Sequence, residues 1–191
     1  MLSFHFCDIV PTCLNYDNRT KKGGEYYRRQ GMIHIYSGDG HGKSPAAMGR
    51  AIQAAAQGEN VVIIQFLKGK SDETSEFFKR LEPEIKIFSF EKSDAVFEEL
   101  SKERQFEEIQ NIKNGMNYAR KVLSTGECDV LILDEVLGLL DNNIITIDDL
   151  KQVLDAKSEE TDIIMTGIQL SDEICVLADE ISKIETLKFP N

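Results

Sequence analysis

Two tetrapeptides constrain this chain more than any other part of it: Val61-Val62-Ile63-Ile64 and Val130-Leu131-Ile132-Leu133. Each is apolar at every position. A strand with one face in water alternates apolar and polar residues, whereas a strand packed on both faces has no reason to. Helices cover both faces of a sheet, and the crossovers that carry them make the strands run parallel. Neither run approaches the ~18 residues of a membrane span, so no membrane segment is expected.

Around these runs, strand and helix patterns alternate along the chain. Met32–Tyr36 reads as a strand and Lys43–Gln57 as a helix stopped by Gly58. Val61–Phe66 follows as a buried strand, Ser75–Leu81 as a short helix and Ile85–Phe90 as a strand. Phe97–Ser124 holds a long helix closed near Gly126, and its acids between Glu98 and Glu108 read as a solvated face. Val130–Asp134 is the next strand, Thr146 caps a helix to about Ala156, and Asp162–Thr166, Ser171–Leu177 and Ile181–Leu187 read as strand, helix and strand. Five or six strands separated by helices predict an α/β fold, a doubly wound and mostly parallel sheet with helices on both faces. Ligands of such sheets bind beyond the carboxyl ends of the strands, here residues 37–44, 65–71, 134–138 and 166–170.

The first of those ends carries Ser37-Gly38-Asp39-Gly40-His41-Gly42-Lys43-Ser44, between a strand and a helix. Glycines there let backbone N–H groups wrap around phosphate oxygens, and the helix N-terminus adds partial positive charge. Lys43 supplies a point charge for phosphate and the Ser44 hydroxyl a ligand for Mg²⁺. His41 is a candidate phosphate contact, and Pro45 is tolerated in the first helical turn, where an N–H has no intrahelical partner. The usual spacing of such loops puts a glycine where Ser37 stands; here it falls one residue later, at Gly38. The Val130 strand delivers Asp134 and Glu135 to the same edge, where a carboxylate can hold Mg²⁺ directly or through water. Gln65 and Lys68 are further candidate ligand contacts, and Phe66 reads as core.

A net charge of −11 argues against a nucleic-acid binder. Residues 1–31 differ from the rest, with five basic against three acidic residues and no sustained period. They read as an N-terminal arm ahead of a single nucleotide-binding domain at 32–191. The codons AGG-AGG, two more codons and ATG would encode Arg28-Arg29-Gln30-Gly31-Met32, which would make Met32 the true start. The cysteines, Cys7, Cys13, Cys128 and Cys175, form no CxxC pair and read as reduced thiols of a cytoplasmic protein.

The loop, the Ala46-Ala47-Met48-Gly49 that follows it, Gln65-Phe66-Leu67-Lys68-Gly69, the Leu133-Asp134-Glu135 strand end and Thr166-Gly167 together resemble the P-loop ATP:corrinoid adenosyltransferases. The resemblance covers most of residues 32–188 and implies a RecA-like P-loop NTPase fold. It further implies that Lys43 and the loop amides hold the triphosphate of ATP, that Ser44 and Glu135 hold Mg²⁺, and that a reduced corrinoid lies over the loop edge. A homodimer and an electron-donating reductase are implied too. The expected reaction transfers a 5′-deoxyadenosyl group to Co(I), with Lys43 and Glu135 as the residues that carry it. Five features depart from the family pattern: His41 in place of Lys, Gln53 in place of Arg, Ile168 after Thr166-Gly167, no Gly-Phe-Thr-Trp segment, and an end at Lys188-Phe189-Pro190-Asn191 where the family is expected to continue into a glycine-bearing tail. Two other readings stay open on the residues alone: a divergent ATP-binding paralogue without transfer, and a P-loop NTPase or small-molecule kinase.

Overall fold

The computed structural model describes residues 19–22, 25–28, 30–67, 78–93 and 97–188. Its elements are β1 (Arg19–Lys22), β2 (Glu25–Arg28), β3 (Ile33–Ser37), α1 (Lys43–Ala56), β4 (Val61–Gln65), β5 (Ile85–Ser89), α2 (Lys102–Thr125), β6 (Val130–Asp134), α3 (Val136–Asp141), α4 (Ile147–Leu154), β7 (Asp162–Gly167), α5 (Asp172–Cys175) and β8 (Glu180–Lys183). Short 3₁₀ turns lie at Lys79–Leu81 and Phe97–Glu99.

Six strands form one parallel sheet in the order β5-β4-β6-β7-β3-β8. The apolar runs divide between its faces as the sequence predicts. Val61, Ile63, Val130 and Ile132 pack with Ala47, Ala51 and Ala54 of α1, while Val62, Ile64, Leu131 and Leu133 pack with Ile112, Met116, Ala119 and Val122 of α2 and with α3 and α4. Alanines on the buried stripe of α1 let its backbone approach the sheet closely. Order is reinforced at the helix ends. Ser101 caps α2 by accepting from the Arg104 N–H, and Gly126 ends it in the left-handed conformation at φ 65°. Thr146 and Asp149 form a reciprocal capping box on α4.

Four expectations need correction. The arm is not without strands: β1 and β2 pair antiparallel with Lys22 opposite Glu25. Residues 136–141 form a helix rather than a loop, because the chain passes from β6 into α3 through one residue, Glu135, at φ 61°. The last strand is Glu180–Lys183 and stops before Ile184, whose N–H and C=O turn to other partners. Glu108 is not solvated; it is buried and accepts from the Lys92 and Ser93 N–H groups, while Glu103 and Glu107 on the same helix are exposed. Of the expected Ser75–Leu81 helix, residues 75–77 lie outside the described residues, as do Cys7 and Cys13, and Lys79–Leu81 form a 3₁₀ turn; Cys128 is buried, which pushes its thiol up to about 12.

At the domain's leading edge the Gly31 N–H donates to the Glu159 carbonyl at 2.6 Å and the Met32 N–H to Asp162 Oδ1 at 2.8 Å. The opposite edge strand, β8, pairs with β3 so that His34 faces Glu180, with Nδ1 3.4 Å from Glu180 Oε2 and Nε2 3.2 Å from Ser182 Oγ. Burial pulls the imidazole below its ordinary value of 6.5 and Arg50 adds to this, against the opposing pull of Glu180 and Asp162. The unfolded chain therefore takes up a proton near 6.5 that the folded chain refuses. Stability should fall more steeply with acid below pH 6.5 in the natural chain than in His34→Gln, measured by urea unfolding across pH 5 to 8; parallel slopes would refute it.

Candidate functional site

The ends of β3, β6 and β7 meet because β7 sits between the other two in the sheet. From β3 the chain enters residues 38–42 and then α1, whose first turn carries no acidic side chain to neutralise its positive end. Lys43 is buried and folds back over the loop, its Nζ donating to the carbonyls of Gly38 at 2.7 Å and Gly40 at 3.1 Å. These carbonyl dipoles are neutral acceptors. A phosphate oxygen carries a full negative charge and attracts the ammonium more strongly than a carbonyl dipole does, so a phosphate reaching the loop would take the ammonium from them.

Asp134, buried at the end of β6, is the junction of the site. Its Oδ1 accepts from Ser44 Oγ at 2.8 Å and from Thr166 Oγ1 at 2.7 Å, and Gln65 Nε2 lies 3.5 Å from its Oδ2. The Thr166 hydroxyl in turn accepts from the Glu135 N–H at 2.7 Å. Glu135 stands at φ 61° and ψ 23°, a conformation that costs a residue with a side chain roughly 1–2 kcal/mol. The hydrogen bond to Thr166 and the immediate start of α3 hold it there. A similar device operates at the end of β4, where Leu67 at φ 54° donates its N–H to the buried carboxylate of Glu91.

The oxygen groups that meet at this junction are the hydroxyls of Ser44 and Thr166 and the carboxylate of Asp134, all hard ligands, with Glu135 contributing its backbone N–H. Mg²⁺ is commonly held by one or two carboxylates together with substrate phosphates, so Ser44 and Asp134 suit it, and Glu135 is the next residue along the chain. Of the other predicted residues, Gly38, Asp39, Gly40, His41 and Gly42 form the loop itself, with Asp39 and His41 exposed at its tip. Gln65 joins the junction through its register opposite Asp134. Lys68 lies outside the described residues. Gln53 is exposed on α1, and Ile168 exposes 55% of its surface just beyond β7.

Two parts of the site escaped the sequence reading. One is the hydroxyl of Thr166, which links Asp134 to the Glu135 backbone; a threonine at the end of a buried strand was the available signal. The other is the segment after β8, residues 184–186. The Ile184 N–H donates to the Ser37 carbonyl at 2.7 Å, and its carbonyl accepts from the Gly40 N–H at 3.3 Å. A Cβ on Gly38 would lie 2.2 Å from that carbonyl, one on Gly40 3.0 Å from Thr186 Oγ1, and one on Gly42 2.9 Å from Ile184 Cγ2. The displaced glycine thus has a steric reason. At φ 121°, Gly38 turns the loop beneath a strap of the chain's own backbone.

Residues 29–191 match the family described as ATP:corrinoid adenosyltransferase BtuR/CobO/CobP. The chain belongs to that family. The corrinoid adenosyltransferase of Escherichia coli K12 is 24% identical over 159 residues, covering 83% of this chain and 79% of that protein. Corrinoid adenosyltransferase CobA of Salmonella typhimurium is 25% identical with the same coverage. An uncharacterized Nostoc protein, all2391, is 28% identical over 85% of this chain and 46% of its own length. Among solved structures, the KaiC-like protein PH0186 of Pyrococcus horikoshii superposes with a TM-score of 0.54 at 16% identity, over 84% of this chain and 76% of that one. The fold is α/β and RecA-like. Among the described residues no helix is long and apolar enough to cross a membrane.

Within this adenosyltransferase family member, two glycines of the matched segment should behave oppositely. Gly38→Ala meets a backbone carbonyl from a conformation that disfavours side chains, and should cost at least ~1–3 kcal/mol in urea unfolding. Gly49→Ala, in α1 with open space around its Cβ, should stabilise by about 0.5–1 kcal/mol. Equal effects of the two substitutions would contradict the steric role of the strap.

Proposed function

We propose that this chain transfers the 5′-deoxyadenosyl group of Mg-ATP to the Co(I) centre of a reduced corrinoid and releases triphosphate. The observation that carries the reading is the junction of Lys43, Ser44, Asp134 and Thr166 at the carboxyl edge of the sheet, in a chain of the adenosyltransferase family. Co(I) is itself a strong nucleophile toward the ribose C5′ carbon, so the chemistry asks the protein for alignment and for stabilisation of a departing polyphosphate.

The side chains meet those needs in order. Loop amides and the α1 N-terminus cradle phosphate oxygens, and the Lys43 ammonium moves from the Gly38 and Gly40 carbonyls onto the leaving group. Ser44 and Asp134, and Glu135 next in the chain, would hold Mg²⁺, which when bound would neutralise charge on the triphosphate. Thr166 fixes the Asp134 carboxylate and the Glu135 backbone, so the oxygen donors are positioned before the nucleotide arrives. Ile168 offers the same edge an apolar surface suited to the macrocycle rather than to phosphate.

A second reading has its own support. Gln53 and Ile168 stand where the family pattern has cations, and the chain has no tryptophan. A protein that binds ATP and corrinoid but no longer transfers the adenosyl group would tolerate these changes. Purified protein mixed with chemically reduced corrinoid, Mg²⁺ and ATP separates the readings. An alkyl-cobalt spectrum with stoichiometric triphosphate supports transfer, tight ATP binding without turnover supports the second reading, and release of ADP would show phosphoryl chemistry instead. Lys43→Ala should lower ATP affinity by about 100-fold or more, corresponding to loss of a buried charge-assisted contact of ~3 kcal/mol, with an unchanged circular dichroism spectrum; unaltered affinity would overturn the site.

A further inference from the structure

Away from the phosphate loop, a cavity of about 300 Å³ gathers reactive side chains beside the edge strand β8, with Met32, His34, Tyr36, Arg50, Glu180 and Ser182 in its lining. Strand register builds the arrangement. His34 and Tyr36 project to the α1 face of β3, opposite Glu180 and Ser182 of β8, and Arg50 reaches the same space from α1. Ser182 Oγ is 3.2 Å from His34 Nε2, and His34 Nδ1 is 3.4 Å from Glu180 Oε2. When the neutral imidazole carries its proton on Nδ1, the nitrogen nearer the carboxylate, the Nε2 lone pair is left to accept from the serine hydroxyl. That is the order of groups that activates a serine: hydroxyl, imidazole, carboxylate.

We propose that this cavity is a second site, independent of the phosphate loop, in which Ser182 is an acyl-accepting nucleophile, His34 its base and Glu180 the residue that positions the imidazole. The substrate class is small esters or thioesters, since the volume is at the low end for ligand pockets. Arg50 and Tyr36 supply the polar hydrogens for a developing oxyanion. Ser182 Oγ bonds to the acyl carbon as its proton passes to His34 Nε2. The tetrahedral adduct collapses, the carbon–oxygen or carbon–sulfur bond breaks, and the leaving alcohol or thiol takes that proton. Water then repeats the sequence on the acyl-serine: His34 takes a proton from water and returns it to Ser182 as the carboxylic acid departs.

The test uses the full chain and a small ethyl fluorophosphonate, followed by intact mass and peptide mapping. The expected result is one adduct, on Ser182, formed with loss of fluoride. Ser182→Ala should give none, and His34→Ala should label at least ~100-fold more slowly, the scale of a lost general base. The labelling rate should rise with pH through a midpoint set by His34 among Glu180, Arg50, Asp162 and Tyr36, and Glu180→Gln should move that midpoint to lower pH, because the lost carboxylate favoured the imidazolium. A carboxylate that only braced the strand would leave the midpoint in place. Lys43→Ala should label at the natural rate, so failure of the ATP reading and failure of this one are separable. No adduct on the natural chain, an adduct on another side chain, or equal labelling of the Ser182→Ala variant would overturn the proposal.

Discussion

Everything at the ligand edge depends on one buried carboxylate. Asp134 is 3% exposed, and an ionised carboxylate without partners in such a place would cost several kcal/mol. Its hydrogen bonds come from α1 through Ser44 and from β7 through Thr166, with Gln65 of β4 at the limit of contact. The carboxylate that suits a cation also joins the loop helix to the centre of the sheet. Removing any one partner would loosen the others, because a half-satisfied buried network is worse than none.

The sheet order explains why these groups meet. β3 carries the loop and β6 the carboxylates, and β7 intervenes, so the two functional strands are separated by one strand whose last residues must bridge them. Thr166 does so with a hydroxyl short enough to fit beneath the loop and able to donate and accept at once. Gly167 follows for a steric reason: a Cβ there would stand 2.4 Å from Leu137 Cβ at the start of α3.

Local signals were legible in proportion to how local their causes are. Val61–Ile64 and Val130–Leu133 declared burial on both faces, and alternate residues do divide between two cores. The capping residues Thr146 and Gly126 act within one turn and were read from the sequence, whereas the Ser101 cap of α2 was not. The α3 helix was not legible, because the strand end at Asp134 and Gly138 four residues later read as a loop, whereas the chain turns at Glu135 alone. Glu108 looked like one more exposed acid; the loop returning at Lys92 and Ser93, with Asn111 of its own helix, makes its burial tolerable. The sequence also named Lys43 and Ser44 without revealing that Lys43 rests on its own loop or that Ser44 reaches across to Asp134.

The strap at residues 184–186 has a consequence for how the protein is made. Its carbonyl and side chains set the shape of a loop nearly 150 residues earlier, by hydrogen bonds to Ser37 and Gly40. During synthesis the amino-terminal parts emerge first, and long-range pairings of this kind form late. A nascent chain therefore carries its glycine loop unfinished until the final strand has emerged from the ribosome and docked against β3. A fragment released before that docking, though it holds every residue of the loop, lacks the backbone that shapes it.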